Sequence, residues 1–425
     1  AITVQAGSSG AATIGCAAMG SSPYFGNVIV LNKSINVHAE ADCQVNLNGV
    51  VSGVGGVSKV GPGTVSPTAT NTYTGATAVL GGTLQVANNA LVSVNGVLGN
   101  SATAILVGDT SGSMPANLLT TGGYTVSRPI TVQTGSTGTI ILGTTAPATS
   151  VFSGAVALGK DTLLTTPASG QINLSSVVSG AGALTKTGAG TLNLTAVNTY
   201  SGATTLLEGT TIISNNVPSG AAGALGNATS AILVGDTSGS ADVTLQANGS
   251  LTVARPVNIR SGSSGATNIV ASGGSSILSG AVTLNKSLTF ATAVGAELSV
   301  TQGISEGAAG LSLTKTGSGT LRLDGNNSYT GATTVSEGAI GGAGTIIGPL
   351  TLSPGTTVAP GSTATAGTLT VTGNTHLSTG SVYIRIPNTT TADKLLVTSS
   401  SNEAIKWSQD AKLIIDLAGY PDGQQ

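Results

Sequence analysis

Charge is what this chain lacks most. Asp, Glu, Lys and Arg make up 7% of its 425 residues, against roughly 25% in ordinary soluble domains. The 14 Lys and Arg nearly balance the 16 Asp and Glu, for a formal net charge of -2. That leaves no basic patch for nucleic acid and no polybasic segment for anionic lipid. Aromatics are 3% of the chain, with a single Trp, which disfavours a string of sandwich domains, each with its own aromatic-rich core. His38 and His376 are the only histidines, and the acidic residues show no clustered pair. General acid–base catalysis therefore has little to work with, and a polysaccharide lyase or hydrolase of β-helix type is the least favoured function. No apolar run approaches the roughly 18 residues of a membrane-spanning helix, and no stretch carries helical periodicity.

What is present is Gly, at 63 residues, and a 40% hydrophobic content interleaved with Thr, Ser and Asn. This is too apolar for the low-hydrophobicity, high-charge profile of disorder. The interleaving has period two: Leu311, Leu313, Leu321 and Leu323 share one parity, and Ser312, Thr314, Thr320 and Arg322 the other. Period two predicts strands with one buried face. Clusters such as Gly53 to Gly56, Ser261 to Gly265 and Ser353 to Gly355 separate runs of about four to seven residues, so the expected class is all-β with many short strands.

The chain also repeats itself. VSKVGPGTVSPTATNTYTGATAVLGG at 57–82 returns as LTKTGAGTLNLTAVNTYSGATTLLEG at 184–209 and as LTKTGSGTLRLDGNNSYTGATTVSEG at 313–338. Lys186 follows Lys59 by 127 positions and Lys315 follows Lys186 by 129. SATAILVGDTSGS at 101–113 recurs at 229–240, and LNKSINV at 31–37 is echoed by LGKDTLL at 158–164 and LNKSLTF at 284–290. Units that bury their apolar faces only against neighbours make a solenoid. A parallel β-helix of about 20 to 25 residues per coil, its narrow interior filled by Val, Ile, Leu and Ala, fits best; one unit of about 127 residues is then five or six coils. We expect a β-helix over 1–345 and further coils over 346–425. The latter end in a more charged cap that gathers Asp393, Lys394, Glu403, Lys406, Trp407, Asp410, Lys412 and Asp416. ITVQAGSSG at 2–10 matches ITVQTGSTG at 130–138, so the chain opens in mid-unit. Either more repeats lie upstream or a leader was removed.

The core motif, K-T-G-x-G-T-L followed by N-x-Y-x-G-A-T-x-V and x-G, resembles the autotransporter-associated β-strand repeat, also called the passenger-associated transport repeat. The later two copies match almost throughout; the first departs with Pro62 in its glycine segment and VSPTA at 65–69 where Leu-x-Leu is expected. The resemblance implies a right-handed parallel β-helix, secreted across a bacterial envelope and displayed at or released from the surface. It implies architecture more strongly than activity, since passengers of this kind include adhesins and aggregation factors. Nothing after residue 387 shows the successive tilted strands of an outer-membrane barrel.

Residue by residue, Lys59, Tyr73 and Gly75, with Lys186, Tyr200 and Gly202 and then Lys315, Tyr329 and Gly331, read as a structural corner set. Asn198 can cap a turn, Gly202 can take a backbone conformation barred to other residues, and Tyr200 can cover the end of the apolar ladder. The competing reading makes the three tyrosines a stripe that stacks on sugars. Asp109 and Asp236 read as turn caps, or each as a lone calcium ligand, and no metal or cofactor is expected. Arg128 and Arg255 sit in Arg-Pro pairs, and a polysaccharide lyase of β-helix type would use an arginine or lysine base near acidic Ca²⁺ ligands, which the scattered acidic residues do not supply. Cys16 and Cys43, 27 positions apart, would fall on adjacent coils, either as a disulfide stapling the amino-terminal end or as two buried thiols. Ile2, Val4 and Trp407 are candidates for end-to-end contacts. The function expected is a non-enzymatic structural or adhesive rod, extracellular or on a bacterial cell surface, whose partners are its own copies or other surface proteins and glycans. A filament or sheath built by end-to-end stacking is the runner-up.

Overall fold

The computed structural model describes every residue except 8, 363, 378, 379, 387–390, 400–403, 409 and 417–425. The charged residue Glu403 of the expected cap lies outside the described residues. Those described form strands, turns and bends with no helix, and the strands stack as a parallel β-solenoid. The chain packs as two units, 1–211 with 220–228, and 212–219 with 229–425.

A regular coil of the first unit shows how sequence becomes ladder. Val156–Leu158, Thr162–Thr165 and Gln171–Leu174 are three sides of one turn. They pair in parallel with Val178–Gly180, Leu184–Thr187 and Thr191–Leu194 of the next. Val156, Leu158, Leu164, Ile172 and Leu174 point inward and are buried, and the intervening residues face out. Residues in register stack one coil apart, Val156 on Val178, Ile172 on Leu192 and Leu174 on Leu194, so the interior of these coils is a continuous apolar ladder. Each aliphatic side chain so buried contributes about 1.5–3 kcal/mol. In the second unit the same alternation runs through Val282–Leu284, Leu288–Thr292 and Glu297–Val300.

The core motif does something the alternation does not reveal: each copy ends a sheet. The three-stranded sheet of Ile2–Val4, Ile29–Leu31 and Val51–Gly53 stops at the first copy. An eight-stranded sheet stops at Val178–Gly180, beside the second, and the sheet holding Val282–Leu284 stops at Ile304–Glu306, beside the third. Where the next strand would lie, a short irregular segment crosses instead. Thr72 and Tyr73 donate their N–H groups to Val51 O at 2.9 and 3.3 Å, Thr199 to Val178 O at 2.8 Å, and Ser328 to Ile304 O at 2.8 Å. New sheets open farther on at Thr125–Val126, Thr252–Val253 and Thr345–Ile346.

The divergent first copy keeps its strand. Thr64–Pro67 pairs over its full length with Gln44–Leu47, but onto the following strand only through Thr64 and Val65, as expected where Pro67 has no N–H to give. Cys16 and Cys43 are disulfide-bonded, with Cα atoms 6.5 Å apart. Cys16 closes the strand Ala12–Cys16, and Cys43 sits one coil on, just before Gln44–Leu47.

Because coils touch only their neighbours, the disulfide should act locally. Its loop, closed over a separation of 27 positions, corresponds to about 3.5 kcal/mol in the chain-entropy picture. Reduction should speed amide exchange over residues 12–60 and leave 150–200 unchanged, as measured by hydrogen-exchange mass spectrometry; a uniform acceleration would mean that the coils unfold as one block.

Candidate functional site

The recurrent lysine of the motif lies on the inward parity of its strand. Lys186 stacks between Leu164 below and Leu206 above, Lys59 between Val37 and Val79, and Lys315 between Phe290 and Val335. All three are buried. An aliphatic stem suits that ladder, but the ammonium needs acceptors. Lys186 Nζ donates to Thr187 O at 2.8 Å, Gly188 O at 2.5 Å and Glu208 O at 3.1 Å. Lys315 does the same with Thr316, Gly317 and Glu337 at 2.9, 2.6 and 3.1 Å, and Lys59 with Val60, Gly61 and Gly81 at 3.0, 2.6 and 2.9 Å. Three ammonium protons thus meet three carbonyls, two at the chain's own bend and one a coil later. Gly188 makes the bend possible at φ +76°, a conformation side chains resist.

Burial pulls each of these lysines down to about 8. The carboxylates of Glu208 and Glu337 oppose the shift at the second and third corners. Each also fixes its corner, since Glu208 Oε2 accepts from Gly188 N and Glu337 Oε2 from Gly317 N, both at 3.0 Å. The first corner has Gly81 at that place.

Asn and Tyr supply what the interrupted sheet lacks. Asn71 Oδ1 accepts from Val51 N at 2.7 Å while its Nδ2 donates to Val97 O at 2.7 Å. Asn198 links Val178 N and Ala224 O in the same way, at 2.8 and 2.7 Å. In the third copy the role falls to Asn327, which accepts from Ile304 N at 3.0 Å and donates to Thr345 O at 2.8 Å. One amide side chain therefore stands in for a missing rung. Tyr73, Tyr200 and Tyr329 are buried, each hydroxyl bonded to the Thr four residues on, at 2.9, 2.9 and 2.6 Å. They fill the interior rather than covering an end of it, and they offer no stacking face to a sugar. Burial raises the phenols of Tyr73 and Tyr329.

Gly75, Gly202 and Gly331 serve by space, not by an unusual φ. A Cβ on Gly202 would stand 2.3 Å from the backbone of Gly182, so a coil passes where a side chain would be. Arg128 is likewise internal, its Nη1 donating to Leu98 O at 2.7 Å and Thr77 Oγ1 at 2.9 Å, its Nε and Nη2 to Thr103 O. Arg255 is equally buried, with Nε and Nη2 on Ser230 O. A second lysine series clamps the coil below: Lys160 Nζ donates to Ser136 O at 2.6 Å and to Gly138 O, and Lys286 Nζ to Gly265 O.

The remaining candidates stay apart. Asp109 and Asp236 each accept from the next backbone N–H at 2.7 Å, as turn caps do. His38 pairs with Glu40 at 3.2 Å, and His376 is exposed on its own short strand. Ile2 is partly exposed and Val4 buried on the strand that pairs with Ile29–Leu31, and Trp407 is half-exposed. The sequence held a signal for the internal lysines that parity alone could have found: Leu184 and Lys186 are two apart on one strand.

Fold and corners together define a β-solenoid whose coils are interrupted at fixed intervals by a lysine–asparagine–tyrosine corner. The chain carries three passenger-associated transport repeats, the family model matching at residues 57–86, 184–213 and 313–340. No curated protein and no solved structure matches it.

Replacing Lys186 by Met should strand three carbonyls and cost about 2–4 kcal/mol in chemical denaturation. A folded ammonium near 8, against 10.5 in the unfolded chain, means that the unfolded state holds more protons between those values. Stability should rise from pH 8 to 9, and a Lys59→Met, Lys186→Met, Lys315→Met variant should lose most of that rise.

Proposed function

We propose that the chain is a non-enzymatic solenoid that bacteria display outside the cell, where it spaces and presents surfaces and adheres to others. One observation carries this reading: the basic side chains that recur with the repeat are committed to backbone carbonyls. Lys59, Lys186 and Lys315 hold the bends, and Arg128 and Arg255 tie coil to coil. A repeat selected for chemistry would keep such groups at the surface. The outward strand positions carry instead Thr, Ser and Asn, such as Thr185, Thr191 and Asn193. Two further points support placement outside the cell: the passenger-associated repeats and the Cys16–Cys43 disulfide, a bond that persists in oxidising compartments.

Self-association is a second reading, favoured by an apolar edge. Leu396, Leu413 and Ile415 are about half exposed on the strands Lys394–Val397 and Lys412–Asp416, an arrangement that invites strand addition from another copy.

Displayed on a non-adherent bacterium, the chain should increase attachment to glycoprotein-coated surfaces or to neighbouring cells. The purified protein should release no reducing ends from polyuronides, with or without Ca²⁺. Product formation there would replace this reading with an enzymatic one, and sedimentation showing a monomer at all concentrations would remove the self-association reading.

A further inference from the structure

The third copy of the repeat departs from the other two on its outer face. Where the second copy pairs a strand beginning with Gln171 against one carrying Asn193, and the first has Gln44 and Ser66, the third has Glu297 and Arg322. The neighbouring outward position is Gln85 in the first copy and Ile212 in the second, but Gly341 in the third. The first two copies show that the coil needs neither the charges nor the glycine. Together these changes bring the Ala359 carbonyl close over Gly341 and set a guanidinium beside it.

Beside Arg322 lies a cleft of about 330 Å³, walled by Thr320, Arg322, Ser362, Tyr383, Arg385 and Asp416, with Ala359, Pro360 and Asp393 also in its lining. Gly341 has to be glycine here, because a Cβ would lie 2.0 Å from Ala359 O and 3.4 Å from Arg322 Nη1. Arg322 is over nine-tenths buried, its Nε donating to Glu297 Oε2 at 2.7 Å and its Nη1 to Gly361 O, which leaves Nη2 outside both bonds. Arg385 pairs with Asp393 at 3.7 Å, and Asp393 is itself pinned by Gly367 N and Arg385 N. Tyr383 donates its hydroxyl to Asp416 Oδ2.

We propose that this cleft binds a neutral, hydroxyl-rich sugar unit, a hexose or N-acetylhexosamine of a surface glycan. Its volume lies at the small end of the roughly 300–1,000 Å³ range of ligand pockets. Each guanidinium already has a carboxylate partner, and Glu297, Asp393 and Asp416 outnumber Arg322 and Arg385, so an anionic ligand gains little. Vicinal hydroxyls match the wall, since they can donate to Asp416 and accept from the guanidiniums, and the ring of Tyr383 brings an apolar surface. The site deepens the adhesive part of the function proposed above and rests on it, giving that adhesion a ligand class and an address.

The test is saturation-transfer NMR on the purified chain with galactose, glucose, N-acetylglucosamine, lactose and, for comparison, glucuronate. We expect transfer to at least one neutral sugar and weaker transfer to glucuronate. The double variant Glu297→Gln, Arg322→Asn reproduces the side chains the second copy carries in the same positions, so it should fold; it should weaken binding at least tenfold. Tyr383→Phe, which removes only a hydroxyl, should weaken it severalfold. Transfer to no neutral sugar, preference for glucuronate, or unchanged affinity in both variants would overturn the proposal. Sugar binding that responds to the variants while displayed cells fail to adhere would instead overturn the adhesive reading and leave the site standing.

Discussion

A bend in a narrow solenoid turns main-chain carbonyls toward an interior that has no water to satisfy them, and in this protein a buried lysine satisfies them. The rest of the coil depends on that interaction. The aliphatic stem of Lys186 continues the ladder from Leu164 to Leu206, and its ammonium holds the bend at Thr187 and Gly188 to the coil above at Glu208. One side chain therefore serves two demands that usually conflict, apolar packing and polar satisfaction. The cost is a desolvated cation, with its pKa pulled down to about 8, and the three hydrogen bonds offset part of it.

The same economy explains why the repeat is long. At each copy one sheet ends and the chain crosses on an irregular segment, and such a break would leave strand N–H groups open if the sequence did not answer them. Asn198 answers for Val178, and Tyr200 fills the volume a strand's side chains would have filled. Placing that break once in about 127 residues lets ordinary Val–Leu coils intervene, so an interrupted ladder is flanked on both sides by regular ones.

Much of this architecture was legible from residue order. Alternating Leu and Thr around 311–323 announces strands, and the spacing of Lys59, Lys186 and Lys315 announces the unit. The pairing of Cys16 with Cys43 across one coil was among the arrangements that their separation allowed. Other features were hidden for physical reasons. Lysine is so seldom buried that its inward parity carries little weight against its charge. The tyrosines read equally well as lids or as a stripe, because a ring suits both surface and core. Gly202 reads as a conformational choice, although the coil passing at Gly182 is what demands it. Arg322 sits on the outward parity and is buried all the same, since Gly341, which has no side chain beside its guanidinium, and the carbonyl of Gly361 belong to strands and turns that no local pattern connects to it.

The central claim, that lysine ammonium groups are internal structural donors, can be read directly by NMR of lysine side-chain nitrogens in the folded protein. Three ammonium groups should keep their protons long enough to be seen, show couplings to backbone carbonyls and lose charge near pH 8. Substitution of Lys59, Lys186 or Lys315 should remove them one at a time. A spectrum in which no lysine ammonium is protected from exchange would contradict the account.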